Sequence, residues 1–138
     1  MCKNTRLRLV EACRKRGIPP QRVFGTNRVT QLYDTGAAVY TYFGISYEDM
    51  PLNKVMQMYE EVEAECRDEI MKNGGSISHH HGIGKVRKRF MNKTMTDYGL
   101  KINDTLKEMF DPKNIFAVNN TVYRSESEEK EDLEHVKI

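Results

Sequence analysis

No apolar run in this sequence comes near the ~20 residues that a helix needs to cross a bilayer, so nothing in it reads as a membrane span. Cysteine is scarce. Cys2, Cys13 and Cys66 are odd in number and spaced as neither a CxxC clamp nor a disulfide framework, which excludes a disulfide-stapled scaffold and points to a reducing compartment. A large charge of one sign is missing too: the net charge is +2, and that total gives no indication of nucleic-acid binding. No internal repeat is found, and no secretory signal is expected. The first residues, Met1 to Arg16, enter a helical pattern without a cap or lead-in, and the expectation is a piece of a longer polypeptide.

What is present is a soluble balance of 38% hydrophobic and 30% charged residues over 138 positions, enough for one modest domain with a core. Leu9, Val10 and Cys13 among arginines and lysines predict an amphipathic helix from about Cys2 to Arg16, stopped by Gly17 and then Pro19-Pro20. Val29 to Asp34 and Ala37 to Ser46 predict two strands around Thr35-Gly36, since apolar, β-branched and aromatic side chains alternate there. Pro51 opens a second helix, carried by Val55, Tyr59, Val62, Cys66 and Ile70 and ended at Asn73-Gly74-Gly75. Cys13 and Cys66 fall on apolar stripes and are expected to be small core side chains. Ser76 to Ser78 is expected to be a short strand, Lys85 to Met91 to begin a helix, and Ile102, Leu106, Met109 and Phe110 to mark another that stops at Asp111-Pro112. The domain expected over residues 1–122 is followed by a tail, 123–138, whose Glu, Ser, Lys and Asp content predicts disorder or a frayed, solvated helix.

The segment Gly74-Gly75-Ser76-Ile77-Ser78-His79-His80-His81-Gly82-Ile83-Gly84-Lys85 carries the chemistry. Imidazole gives and takes a proton near neutral pH, and flanking glycines let a backbone approach a ligand closely. A histidine triplet can equally be an exposed loop or an adventitious metal site; being internal, it is not an expression tag. Zinc ligands must converge, and on an extended chain only His79 and His81 share a side, so no metal site is assigned. If the hairpin and the triplet-bearing strand share a sheet, Tyr40 can face the triplet and form a general acid/base pair with it. A tyrosine in a strand also reads simply as a packing aromatic. The basic run from Lys85 to Arg89 reads as a solvated face, with phosphate contact a lesser option.

This segment, together with Arg28-Val29-Thr30-Gln31, Tyr33-Asp34-Thr35-Gly36-Ala37-Ala38-Val39-Tyr40 and Asp111-Pro112-Lys113-Asn114-Ile115-Phe116, resembles the C-terminal end of the alkyldihydroxyacetonephosphate synthases. His-Gly-x-Gly and Asp-Pro-x-Asn-Ile-Phe alone indicate only the wider FAD-linked oxidase superfamily, and the triple histidine narrows it. The resemblance covers about Cys2 to Asn120. It implies an α+β fold, an antiparallel sheet covered by helices, similar to the ferredoxin-like cap domain of FAD-linked oxidases. It also implies a peroxisomal FAD enzyme that exchanges the acyl chain of acyl-dihydroxyacetone phosphate for a long-chain fatty alcohol, without net redox, through a substrate adduct on the flavin. Peripheral membrane association and a homodimer of the full-length enzyme go with it.

In the resemblance, Tyr40 matches the family's catalytic tyrosine and His79, His80 and His81 its essential histidines. The expected roles are substrate proton transfer for Tyr40 and His80, and activation of the alcohol for His81. The family's flavin diphosphate loop and a substrate-binding arginine lie N-terminal to anything in this chain, so the isolated chain is expected to be inactive and to bind flavin weakly or not at all. The terminal Val136-Lys137-Ile138 resembles a peroxisomal Ser-Lys-Leu signal only loosely. Two other readings stay open. A flavin-dependent 2-hydroxyacid dehydrogenase or oxidase shares His-Gly-x-Gly but carries Glu ahead of the last histidine, where His80 stands here. A non-catalytic metal-binding or interaction module is the other.

Overall fold

Two antiparallel helices and a long hairpin account for the first half of the chain. The computed structural model describes residues 1–48 and 50–116. Both the acidic tail and the terminal tripeptide lie outside the described residues. Those described group into two compact units, Met1–Ser76 and Ile77 onward.

In the first unit, α1 (Cys2–Lys15) ends as its sequence predicts, at Gly17 with φ 80, before a single 3₁₀ turn at Pro20–Arg22. β1 (Val23–Tyr33) and β2 (Gly36–Ile45) pair as a two-stranded antiparallel sheet, in register from Val23↔Ile45 to Tyr33↔Gly36. The first strand thus begins at Val23, six positions ahead of the Val29 expected from the alternation. Phe24 to Asn27 mixes glycine and asparagine into the run, but Gly44 to Thr41 pairs with it, and a cross-strand partner outweighs local propensity. α2 (Leu52–Lys72) follows Pro51, which stands at the N-cap. The architecture is α+β, with helices laid on an antiparallel sheet.

The core of this unit is Leu9, Ala12, Cys13 and Ile18 against Val55, Met58, Val62 and Cys66, with Val23, Phe43 and Ile45 of the hairpin packed on it. Gly25 lets the hairpin come this close: a Cβ there would lie 3.0 Å from Leu9 Cδ2. Phe43 stacks on Tyr59 with ring centroids 5.0 Å apart. The helix pairing is tied at its rim by Arg8 to Glu65 at 2.9 Å, and by Arg16 to Glu61 at 2.8 Å and to Glu65 at 2.7 Å. These pairs are partly exposed, so each contributes at most about 1 kcal/mol, and the apolar seam does most of the stabilising.

Cys13 and Cys66 are buried, as their place in the helical stripes predicts. Burial, with smaller contributions from Cys13 and nearby carboxylates, pushes the Cys66 thiol up to about 12, and burial raises that of Cys13. Thiolate is the reactive form, so neither should react in the folded chain. Iodoacetamide at pH 8 followed by intact mass is expected to add one label, at Cys2, and to add the other two only in denaturant. Fast labelling of Cys66 without unfolding would contradict this packing.

In the second unit, α3 is a single turn, Gly84–Arg87, continued by a 3₁₀ segment Lys88–Lys93 in which Phe90 and Met91 are buried. The helix expected from Lys85 is therefore wound more tightly than an α-helix over most of its length. α4 (Asp97–Phe110) is capped by Thr96, whose hydroxyl accepts the Gly99 N–H at 3.2 Å. It stops where Asp111-Pro112 predicts. No residue of α4 is buried: Tyr98, Ile102, Leu106, Met109 and Phe110 are all exposed. No helix among the described residues is long and apolar enough to cross a membrane.

Asp111-Pro112-Lys113-Asn114-Ile115-Phe116 folds into a tight turn behind α4. The Asp111 carboxylate accepts the N–H groups of Ile115 and Phe116, both at 2.8 Å, and the Lys107 ammonium. The Lys107 hydrogen bond, more than the two backbone N–H groups, holds this carboxyl below the usual carboxylate range. A depressed folded-state pKa stabilises the turn above the ordinary aspartate pKa of ~3.9, and this stability is lost as pH falls through the depressed value. Amide exchange at Ile115 and Phe116 should therefore stay protected at pH 5 and rise only under strongly acid conditions. Asp111→Asn should exchange faster at pH 5 and lose the acid dependence, matching the parent under strongly acid conditions.

Candidate active site

Tyr40 sits in the middle of β2. Phe43 and Ile45 of the same strand turn toward the helices, and side chains alternate along a strand, so Tyr40 and Tyr42 stand on the opposite face. Their rings lie 6.1 Å apart, and Tyr40 is half-buried where Tyr42 is exposed. Directly across the hairpin from Tyr40 is Arg28. Cross-strand partners share a face with Cβ atoms about 4.5–5.5 Å apart, so Arg28 and Tyr40 leave the hairpin on one face. One step further toward the turn the register slips between Val29 and Gln31, making Thr30 a bulge whose hydroxyl lies 3.4 Å from the Ala38 carbonyl.

The histidine triplet follows the end of α2. Asn73 closes that helix, its side-chain amide donating to the Glu69 carbonyl at 2.7 Å, and Gly74 takes φ 78, a conformation that glycine adopts without steric cost. The chain then enters a loop. Residues 76–78 are not a strand, contrary to the expectation: the only sheet among the described residues is the hairpin, so the triplet is not delivered at the end of a third strand. The Ser78 hydroxyl donates to the His81 carbonyl, closing a local turn.

This turn changes the arrangement of the rings. On an extended chain consecutive histidines would point to opposite sides. Here His80 stands edge-to-face with both neighbours, 4.5 Å from His79 at 89° and 4.2 Å from His81 at 86°. His79 Nδ1 meets His80 Nδ1, so in the neutral state one ring supplies the hydrogen and the other the lone pair. All three imidazoles are exposed, and a Cβ added to the adjacent Gly82 would meet nothing within 4 Å. Arg87 Nη1 donates to Ser78 Oγ at 3.2 Å. The Arg89 guanidinium and the Lys93 ammonium lie over the Phe90 ring, at 5.1 and 5.6 Å. Among the described residues no group of three or more His, Cys, Asp or Glu forms a metal shell.

The structure thus gathers His79, His80 and His81 into one edge-to-face cluster in the second unit and pairs Tyr40 with Arg28 across the hairpin in the first. Arg28, Ser78 and Arg87 escaped the sequence reading as site residues. Only the hairpin register reveals Arg28, and a Ser-x-x-His spacing was the one signal for Ser78.

The chain matches the family model described as FAD linked oxidases, C-terminal domain, over residues 1–120, and it belongs to that family. FAD is the cofactor that goes with it. Two curated relatives narrow the class. An alkyldihydroxyacetonephosphate synthase of Caenorhabditis elegans is 39% identical over 122 residues, covering 88% of this chain and 20% of the relative. Another, of Dictyostelium discoideum, is 31% identical over 113 residues, covering 82% of this chain and 18% of the relative. The chain therefore spans about a fifth of the length of the curated relatives it matches.

Part of the donor set fits the cofactor. Exposed imidazoles beside an open glycine suit the edge of a flavin ring, where protons are exchanged. Among the described residues, open grooves of 680, 310 and 300 Å³ run along α1, between β2 and α2, and on α4, and neither Tyr40 nor the triplet lines these three.

Proposed function

We propose that this chain is the part of an alkylglycerone-phosphate synthase that handles protons, in a peroxisomal enzyme exchanging the acyl chain of acyl-dihydroxyacetone phosphate for a long-chain fatty alcohol. The observation that carries the reading is the edge-to-face histidine triplet, held on a loop in a chain 39% identical to a synthase of that name. Peripheral contact with a membrane, where both lipid substrates reside, and a homodimer of the complete enzyme belong to the same reading.

The exchange breaks a carbon–oxygen bond to the departing fatty acid and forms one between the same carbon and the alcohol oxygen. A proton must leave that carbon and later return, and another must leave the alcohol hydroxyl. The flavin, when bound, supplies the electron sink that allows such a substitution. Tyr40 and His80 are assigned the proton on carbon, and His81 the alcohol proton. His79 shares a hydrogen with His80 through their Nδ1 atoms and so fixes which nitrogen of His80 faces outward.

The test joins this chain to the flavin-binding part of the enzyme and supplies acyl-dihydroxyacetone phosphate with labelled hexadecanol. Label in an ether product, with one fatty acid released per ether formed and no electron acceptor consumed, is expected. Oxidation of a 2-hydroxyacid with reduction of an acceptor dye, and no ether, would favour the dehydrogenase reading instead. The chain alone is expected to show no stoichiometric FAD binding in a titration followed by flavin fluorescence.

A further inference from the structure

We propose that Ser78 and Arg87 form a latch that sets the direction of the three imidazoles, acting as positioning residues for the triplet. The inference rests on the catalytic reading above only for its consequence in turnover; the latch itself is geometric. Ser78 Oγ receives a hydrogen bond from Arg87 Nη1 at 3.2 Å and passes its own hydrogen to the His81 carbonyl. A hydroxyl has one hydrogen to donate. Accepting from the guanidinium leaves that hydrogen for the carbonyl, and polarisation along the chain strengthens both bonds.

The latch bridges two kinds of backbone. Arg87 is half-buried at the end of α3 and leads directly into the segment holding buried Phe90 and Met91. Ser78 opens the exposed turn that carries the triplet. A glycine-rich loop such as His81-Gly82-Ile83-Gly84 has little stiffness of its own, and three exposed imidazoles would otherwise sample many rotamers. Pinning the carbonyl of His81 closes Ser78 to His81 as one turn and brings consecutive rings edge-to-face. Orientation of this kind is what a general acid or base needs, and a misplacement of about 1 Å can cost about 10²-fold in rate.

The experiment uses the 138-residue chain with labelled histidine and reads cross-relaxation between the imidazole rings by NMR. In the parent chain, contacts between His80 and both neighbours are expected. In Ser78→Ala and in Arg87→Gln they should be lost, while the hairpin and α2 signals stay in place and show that the fold is intact. Ser78→Thr retains the hydroxyl and should restore them. Inter-ring contacts that survive Ser78→Ala, or that Ser78→Thr fails to restore, would overturn the latch. In the flavin-loaded assembly Ser78→Ala should lower kcat up to about 10²-fold with KM little changed. Rings scrambled with turnover unaffected would leave the latch standing and defeat the catalytic reading, so the two failures are distinct.

Discussion

His80→Ala, made in the flavin-loaded assembly, is expected to slow the exchange by about 10²- to 10⁴-fold, the range that a positioned general acid or base contributes. Tyr40→Phe should fall in the same range. That substitution keeps the ring that neighbours Tyr42 and removes only the hydroxyl, so a loss of rate without a loss of stability isolates proton transfer. His81→Ala separates the two halves of the reaction. Release of fatty acid from the acyl substrate should survive it, while incorporation of alcohol should fail. If His81→Ala turned over at the parental rate while His80→Ala abolished activity, the division of labour between these rings would be wrong. If Tyr40→Phe and His80→Ala both stayed within about twofold of the parent, proton handling by this chain would be excluded.

The second large effect concerns the fold. Leu9 is 2% exposed and lies where α1, α2 and the hairpin meet, with Gly25 of β1 packed beside its Cδ2. Leu9→Ala removes the methyl groups that fill this junction and leaves a cavity between three elements that cannot all collapse inward. A loss of about 2–5 kcal/mol is expected, a large fraction of the stability of a unit this small. Urea denaturation followed by circular dichroism checks it. Leu7→Ala, on the exposed side of the same helix, is the control and should shift stability by no more than about 0.5 kcal/mol. Equal losses for the two would mean that the seam between helices and hairpin is not the core described.

How far such a structure can be read from sequence depends on where the stabilising contact lies. α1, α2 and α4 were legible because their stops are chemical and local: Gly17, Asn73-Gly74 and Asp111-Pro112 each act within a few residues. The start of β1 was not, because Phe24 to Asn27 becomes a strand through its partners 41–44, and such a partnership leaves little mark on local composition. Ser76 to Ser78 misled for the opposite reason, since alternation of one apolar residue with two serines mimics a strand while the serine hydroxyl prefers its own turn. Tyr40 and the triplet were recognisable as residue types and as a family pattern. The edge-to-face contacts of the rings, the strand register that pairs Arg28 with Tyr40 and the Arg87–Ser78 hydrogen bond are relations in space, and only coordinates reveal them.

The apolar face of α4 has a practical meaning. A helix that displays Tyr98, Ile102, Leu106, Met109 and Phe110 to water is a surface on which the chain would stick to whatever oily surface it meets first. Expression of this segment by itself therefore invites precipitation, and charged replacements along that stripe are the natural first step toward a well-behaved sample.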